Sequence, residues 1–353
     1  MTDPMLADAI TILTTDRPAL PEARAAQLLR QHYGLEGELE PQDSERDQNF
    51  LLRTASGHDC VLKIASNAEA EAVTDFQIAA LLHLEASPVA GLVPRVVRTT
   101  DGATRLRVTA DDGHVHTVRV LSWLPGTLRA PDALSPGALY RMGVVLAGLG
   151  RALREFDHPA SDYPLLWDIK RADRLCELLD TVTDTALRRT LARHLDAFAT
   201  VAKPRLPELR WQVIHNDLNP GNVLFSDDDY DEVAGIIDFG DMMRGPLVAD
   251  VAVACAYLCR RDDGSLQDMF EFLRGYHAVT PLTPEEFEVL PYLVTARNIT
   301  TVVISHWRAS MYPDNRAYIL RSADRALHML NTFGRRPPAA VTREMQERFG
   351  NHD

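Results

Sequence analysis

Three apolar runs, Val213-Ile214, Asn222 to Phe225 and Val233 to Ile237, alternate with polar loops between residues 211 and 241. The acidic Asp227-Asp228-Asp229 between the second and third is a turn signal, so those two runs are expected to pair as a hairpin. The same short-strand pattern fills the first third of the chain. A first strand region runs from Gly34 to Pro41. Phe50 to Arg53 and Cys60 to Ile64 are joined by a turn at Ser56-Gly57-His58-Asp59. Two further strands, Arg105 to Thr109 and His116 to Leu121, alternate with the turn dipeptides Asp101-Gly102 and Asp112-Gly113.

Helical spacing appears in other segments. Pro21 to Tyr33 carries Ala25, Leu28 and Leu29 on one side and is closed by Gly34. Ala68 to Glu85 carries the stripe Val73, Phe76, Ala80 and Leu84, with Asn67 placed to cap it. From Ser135 onward the pattern is almost wholly helical. Gly137 to Phe156 is a long helix, Asp168 caps another after Trp167, and Arg171 to Val201 continues as helices. A buried helix spans Val251 to Cys259, and three more fill residues 265 to 332. The tail from Gly334, with Pro337-Pro338, reads as loosely packed. The change from strand-rich to helix-rich falls at Ser122-Trp123-Leu124-Pro125-Gly126, which predicts an α+β chain with parts 1–122, 123–126 and 127–353.

Length and charge narrow the function. A chain of 353 residues, 46% hydrophobic and 25% charged, has ample material for a buried core. Its net charge of −13 argues against a nucleic-acid partner and suits a cationic substrate. Cys60, Cys176, Cys255 and Cys259 form no C-x-x-C pair, and Cys255 and Cys259 are expected to be packing residues rather than metal ligands. The start lacks a basic, then apolar, leader pattern, and no apolar run approaches bilayer length. The expectation is a cytoplasmic protein with no membrane contact.

The chemistry gathers in the strand-loop-strand segment. Its geometry sets Asp217, Asn222 and Asp238 at the ends of short strands facing one pocket. An aspartate can accept the proton of an attacking hydroxyl, while an asparagine carbonyl and a second carboxylate are hard oxygen ligands of the kind Mg²⁺ prefers. In protein kinases the same parts recur as H-R-D-x-x-x-x-N followed by D-F-G. Here Asn222 follows Asp217 at the same spacing, and Asp238-Phe239-Gly240 comes after it. The bland alternative is that His215 and Asp217 cap a turn and Asp238 ends a strand. It accounts for each residue singly but not for the ordered pair of motifs. His215 is read as holding the loop by hydrogen bonds. Lys63, amid apolar strand residues, needs a partner, since an unpaired buried ammonium is costly. It is read as the lysine that neutralises nucleotide phosphates rather than as an edge-strand residue turned to solvent. No G-x-x-x-x-G-K occurs, and Gly148-x-Gly150 lacks a preceding strand, so close helix packing is the better account of those glycines.

The segment His215-Asn216-Asp217-Leu218-Asn219-Pro220-Gly221-Asn222 resembles the H-G-D-x-x-x-x-N loop of the aminoglycoside phosphotransferase and choline kinase family, and Ile237-Asp238-Phe239-Gly240-Asp241 resembles its second metal motif. Glu45 to Phe50, Leu62-Lys63-Ile64, Trp167-Asp168, and Asp238 to Met242 with Pro246-Leu247-Val248 are similar to the hydroxylysine kinase-like branch. The resemblance implies a bilobal protein-kinase-like fold. Its parts would be an antiparallel-sheet N-lobe with one main helix, a hinge, and a larger helical C-lobe holding the substrate pocket. It implies Asp217 as the catalytic residue, Asn222 and Asp238 as Mg²⁺ ligands, Lys63 on the phosphates of ATP or GTP, and adenine contacts at the hinge beside Ser122 and Leu124.

This sequence departs from the protein-kinase pattern in having no glycine between Asp43 and Asn49, so Arg46, Gln48 or Asn49 are expected to supply phosphate donors. Glu69 is the expected partner of Lys63, with Glu71 a further candidate, since Gln77 sits where the resemblance places that glutamate. For an amine-bearing hydroxyl acceptor, Asp47 and Asp168 are candidates for the ammonium and Arg297 or Arg308 for a carboxylate, against the plain reading of caps and surface pairs. Asp250 is expected to anchor the loop. The favoured acceptor is a hydroxylysine-like amino acid. The rivals are an aminoglycoside or macrolide, then homoserine, choline or ethanolamine, and a catalytically inactive nucleotide-binding regulator.

Overall fold

The structure, a computed structural model, describes residues 3–111, 113–258 and 265–350. Asp112 of the expected turn and Cys259 at the expected helix end lie outside the described residues. Helix α1 (Pro4–Thr14), which the sequence pattern did not suggest, is capped by the Asp3 carboxylate and buries Leu6 and Ala9. Helix α2 (Glu22–Leu28) widens into a last turn through Tyr33 and stops at Gly34, whose φ of 65° is the left-handed conformation that favours glycine.

Strands β1 (Glu38–Gln42), β2 (Gln48–Arg53) and β3 (Cys60–Ile64) form an antiparallel meander. After helix α3 (Glu71–Leu84) come β4 (Val96–Val97), β5 (Leu106–Thr109) and β6 (Val115–Ser122). The sheet order is β1-β2-β3-β6-β4, with β5 also paired to β6. One sheet face, with Phe50, Leu52, Leu62, Ile64, Val118 and Val120, packs on Ala25, Leu28 and Leu29 of α2 as a separate apolar cluster. The register Asn49↔Lys63↔Arg119 sets three polar side chains in one row.

Asn67 does not cap α3. The helix begins at Glu71, because Ser66 organises a turn first: its carbonyl accepts from Glu69 N (3.1 Å) and its hydroxyl from Ala68 N (3.3 Å). The apolar stripe of α3 packs into the larger cluster with the helical part.

Beyond Ser122, β7 (Thr127–Leu128) leads to α4 (Pro136–Ala152), which Ser135 caps. The helices expected over Arg171 to Val201 are present as separate segments. A tight-turned segment, Ile169–Thr181, is kinked at Arg171 and followed by α5 (Thr185–Ala197). Strand β8 (Trp211–Ile214) precedes the expected hairpin of β9 (Val223–Phe225) and β10 (Val233–Ile236), on which β7 also pairs. A further strand, β11 (Met243–Pro246), pairs with β8. Helices α6 (Leu247–Cys255), α7 (Gln267–Val279), α8 (Pro284–Met311) and α9 (Arg316–Gly334) follow.

The close crossing of α4 and α7 rests on Gly143 and Gly275, where a Cβ would overlap the carbonyl oxygens of Phe272 and Tyr140. Gly148 has only ordinary contact at Val89, and Gly150 abuts the Gln212 amide. The glycine that brings α4 against a helix is therefore Gly143. The tail is not loose. Pro338 starts α10 (Pro338–Phe349), which buries Val341 and Met345 and stacks Phe349 on Phe287 at 6.2 Å. Pro338 sits at the first helical position, where its missing N–H costs nothing.

Candidate active site

Strand β8 delivers the chain into the loop His215 to Asn222, and three fixtures hold that loop. The Asp250 carboxylate, in the first turn of α6, accepts from the backbone N–H of His215 (3.1 Å) and Asn216 (2.8 Å). Burial pushes its carboxyl up to about 6 against those two bonds. Asn216 takes the left-handed conformation, φ 64°. The buried His215 ring accepts from Asp217 N–H at Nδ1 (3.3 Å), so Nε2 is the protonated nitrogen and donates to Ile237 O (3.1 Å). Burial lowers its pKa, and its ring meets Phe239 edge-on at 4.8 Å. His215 joins the loop to the Asp238 turn, and Asp250 anchors it, as the sequence suggested.

Asp217 projects from this frame with both oxygens engaged. Oδ2 accepts from the side-chain amides of Asn219 (3.1 Å) and Asn222 (2.8 Å), and Oδ1 accepts from Arg297 Nη2 (2.7 Å). Burial pushes its carboxyl up to about 7, opposed by Arg297 and reinforced by Asp241 and Asp238. A carboxylate poised near neutrality is suited to accept a proton from a hydroxyl.

Asp238 ends the β10 side in the left-handed conformation, φ 61°, and accepts from Gly240 N (3.4 Å). Burial raises its pKa, but Lys63, Arg46 and His215 outweigh that, and the carboxyl is held below the usual range. Two cavities meet at Asp238 and Lys63. One, of about 370 Å³, is lined largely by apolar groups and includes Val61, Leu121, Ser122, Leu124, Leu224 and Asn222. The other, of about 730 Å³, is polar and includes Asp217, Asp241, Arg297, Trp167, Tyr257 and Arg308.

The Asn222 amide donates to the Asp217 backbone carbonyl (2.9 Å) as well as to Oδ2, which turns its own carbonyl oxygen to the other side. With Asp238 that makes a hard-oxygen pair able to hold a divalent cation together with phosphate oxygens. Among the described residues no group of three His, Cys, Asp or Glu is arranged to hold a metal.

The remaining candidates divide. Asn49 lines the smaller cavity with its Oδ1 unpartnered, and Ser122 and Leu124 stand at its edge. Gln48 turns away from both cavities, because its amide pairs with the backbone of Leu20 in both directions (2.8 and 3.0 Å). Arg46 reaches across to Asp241 (2.5 Å). The ion pair of Lys63 is with Asp47, at 3.9 Å, not with Glu69. Glu69 precedes α3 and accepts from Thr74 Oγ1 (2.9 Å), and burial raises its pKa, aided by Asp47 and opposed by Arg46 and Arg119. Glu71 pairs with Arg105 instead. Asp168 lies outside the polar cavity: its buried carboxylate is matched by Lys170 (2.8 Å) and Arg171 (2.5 Å) and caps the segment behind it. Arg308 pairs with Glu45 (2.5 Å) at the cavity, and Glu45 also accepts from the Trp167 indole (3.2 Å).

Several participants were not singled out by sequence reasoning. Asn219, two residues from Asp217 and before Pro220-Gly221, carries the Asx-turn signal that could have found it. Asp241 and Tyr257 had no such mark. Gln77 was weighed only for Lys63, whereas it accepts from Arg119 (2.6 Å) and donates to Gly240 O (3.0 Å).

A small sheet with one main helix, a larger helical part, and Asp-Asn-Asp-Lys chemistry where two cavities meet define a bilobal small-molecule kinase. The chain belongs to the phosphotransferase enzyme family, whose family model matches residues 38–287. The hydroxylysine kinase of Mus musculus is 28% identical over 332 residues, 87% of each chain. The homoserine kinase of Chelativorans sp. (strain BNC1) is 30% identical over 265 residues, 71% of this chain and 74% of that one. Among solved structures, an amicoumacin kinase in complex with AMP-PNP, Ca²⁺ and Ami superposes with a TM-score of 0.66 at 13% identity, over 90% of this chain and 94% of that one. Among the described residues no helix is long and apolar enough to cross a membrane.

Proposed function

We propose that the chain transfers the γ-phosphoryl group of ATP or GTP to a hydroxyl of a small, amine-bearing acceptor, with a hydroxylysine-like amino acid favoured. The observation that carries this reading is the meeting of the two cavities at Lys63 and Asp238, with Asp217 on the polar side and Asn222 on the apolar side. The apolar cavity suits a nucleobase, with the chain swinging between the two parts at residues 123–126. The polar one suits a charged acceptor.

In this reading Asp217 orients the acceptor hydroxyl and takes its proton. Lys63 neutralises the phosphates that are not transferred, and Asn49, its cross-strand neighbour, lines the same cavity. Asn222 and Asp238 would hold Mg²⁺, which supplies charge neutralisation at the phosphates. The chain's own share of the rate is positioning and fixed electrostatics. The acceptor preference draws on the hydroxylysine kinase likeness, which spans most of both chains. The net charge of −13 supports a small cationic acceptor rather than a nucleic-acid partner, and we place the enzyme in the cytoplasm.

The test is a coupled nucleotide-consumption assay with Mg²⁺, run with ATP and with GTP. The panel holds 5-hydroxylysine, homoserine, choline, ethanolamine, aminoglycosides and a macrolide. Turnover of a hydroxylated amino acid supports the reading. Turnover of the antibiotics alone overturns the acceptor class, and no turnover with nucleotide bound overturns the kinase reading itself.

A further inference from the structure

The basic side chains that line the polar cavity are matched by acids, with one exception. Arg46 pairs with Asp241, Lys63 with Asp47, Arg297 with Asp217 and Arg308 with Glu45. Arg297 has nothing further to offer a ligand, since its Nε and Nη1 are sealed from the cavity. Arg321, near the start of α9, has neither an ion pair nor a hydrogen bond among the described residues. It is exposed, and its guanidinium carbon stands 4.7 Å from the centre of the Tyr318 ring, which lines the same cavity.

The cavity is also graded in charge along its length. Helix α8 lines it with one stripe, Arg297, Thr301, Ser305 and Arg308. At 1.5 Å per residue that stripe leads away from the base for about 16 Å. Asp217 and Asp241 lie together at the inner end, where Asp241 helps to hold the Asp217 carboxyl up. One Asp241 oxygen accepts from Arg46, and the other makes no hydrogen bond. The outer wall, where the end of the stripe meets Asn315, Tyr318 and Arg321, contributes no acid. Glu45, which reaches that wall from the β1–β2 loop, is spent on Arg308 and the Trp167 indole. Unmatched negative charge is therefore inside and unmatched positive charge outside.

We propose that the acceptor lies lengthwise in this cavity, its hydroxyl and a neighbouring ammonium inside at Asp217 and Asp241 and its carboxylate outside at Arg321. Arg321 is then the residue that selects amino acids over amines. This deepens the acceptor assignment above and rests on it. The acceptor class is an amino acid whose hydroxyl and side-chain ammonium sit on adjacent carbons, several carbons from the carboxylate, as in 5-hydroxylysine. Extended from hydroxyl to carboxylate such a molecule spans about 7 Å, and a hydrogen bond at each end adds about 3 Å. The total, about 13 Å, falls within the length of the α8 stripe. Because Arg321 is solvated before the acceptor arrives, its ion pair is worth about 3- to 10-fold in affinity rather than the larger factor of a buried pair.

The experiment measures kcat and KM for three acceptors on the full chain and on Arg321→Met and Arg321→Lys. They are 5-hydroxylysine, 1,5-diaminopentan-2-ol, which lacks the carboxylate, and 2-amino-5-hydroxyhexanoate, which lacks the ammonium beside the hydroxyl. In the wild type, kcat/KM for each of the two reduced acceptors should be lower than for 5-hydroxylysine by about 3- to 10-fold or more. In Arg321→Met, KM should rise by a similar factor for the two carboxylates and not for the diamine, and Arg321→Lys should recover part of that rise. The change should fall on KM and spare kcat, because Arg321 makes no contact with Asp217. Equal wild-type kcat/KM for 5-hydroxylysine and the diamine overturns the proposal, and that comparison needs no variant to fold. A KM rise in Arg321→Met that the diamine shares, or none for 5-hydroxylysine, overturns it too. If 2-amino-5-hydroxyhexanoate serves as well as 5-hydroxylysine, the inward ammonium is overturned. If the wild type phosphorylates amines or antibiotics but no amino acid, the proposal and the acceptor assignment fall while the kinase reading stands. If it phosphorylates nothing, all three fall.

Discussion

Asp217→Asn is the sharpest perturbation of this site, because it keeps size and removes one function. The wild-type carboxylate accepts at both oxygens, from Arg297 Nη2 at 2.7 Å and from the Asn219 and Asn222 amides at 3.1 and 2.8 Å. An asparagine can accept on one side only, so its own NH₂ must face either the guanidinium or two other amides. That mismatch leaves one buried donor group unsatisfied at a cost of about 1–3 kcal/mol, enough to lower Tm by several degrees but not to unfold a domain of this size. Loss of the proton acceptor should lower kcat by about 10²- to 10⁴-fold.

Nucleotide affinity should survive, since Asp217 lines the polar cavity and not the apolar one. The stability difference also has a sign. The folded carboxyl is raised to about 7, above its unfolded value of 3.8. The folded chain therefore keeps a proton that the unfolded chain loses, and the stability Asp217 contributes is full below pH 4 and is lost as pH rises through 7. The Tm deficit of Asp217→Asn should accordingly be largest in acid and shrink toward pH 8. Steady-state kinetics, nucleotide titration and thermal melts at several pH values measure all three quantities. Undiminished phosphoryl transfer, or weakened nucleotide binding with transfer spared, refutes Asp217 as the base.

Three further outcomes are expected. In the wild type, kcat/KM should fall about tenfold for each pH unit below 6, as Asp217 protonates in the free enzyme, and a flat profile from pH 5 to 8 would exclude a base near 7. Lys63→Met should weaken nucleotide binding by about 10- to 100-fold through loss of a charge-assisted contact, measured by titration calorimetry, whereas unchanged affinity would place the phosphates elsewhere. Gly143→Ala drives a Cβ into the Phe272 carbonyl at the α4–α7 crossing and should cost about 1–3 kcal/mol. An unchanged Tm would mean that the helices part without penalty.

What the sequence revealed, and what it hid, follows from distance along the chain. Asp217, Asn222 and Asp238 were legible because one strand-loop-hairpin segment brings them together by local geometry alone. The β2–β3 hairpin and Lys63 were legible for the same reason. The partner of Lys63 was not, since its choice depended on where α3 starts, and Ser66 shifts that start by a full turn. Asp168 was weighed both as a cap and as an ammonium site, and with Lys170 and Arg171 folded back on it the cap is what it forms. Gln48 was one of three candidate phosphate donors, and Leu20, 28 residues earlier, takes its amide. Arg297 sits 80 residues beyond Asp217 on a 28-residue helix. Only the seating of α8 against the catalytic loop decides which of its faces meets the cavity.

The arrangement around Lys63 also shifts where control of the site resides. In protein kinases the lysine is held by a glutamate of the main N-lobe helix, so that helix position sets activity. Here α3 is tied down by an amide, Gln77, bonded to Arg119 on one side and to Gly240 O on the other, and neither bond involves the lysine. The acid facing Lys63 is Asp47, carried by the short loop between β1 and β2. That same loop supplies Arg46 to Asp241 and Glu45 to Arg308 and Trp167. Three successive residues thus touch Lys63, the Asp238 turn and helix α8. A displacement of the loop alters all three contacts together, whereas a displacement of α3 alone leaves the Lys63 pairing in place. The absence of glycine in this loop fits that duty, since a chain segment that must aim three consecutive charged side chains across a cleft needs their reach more than it needs backbone freedom.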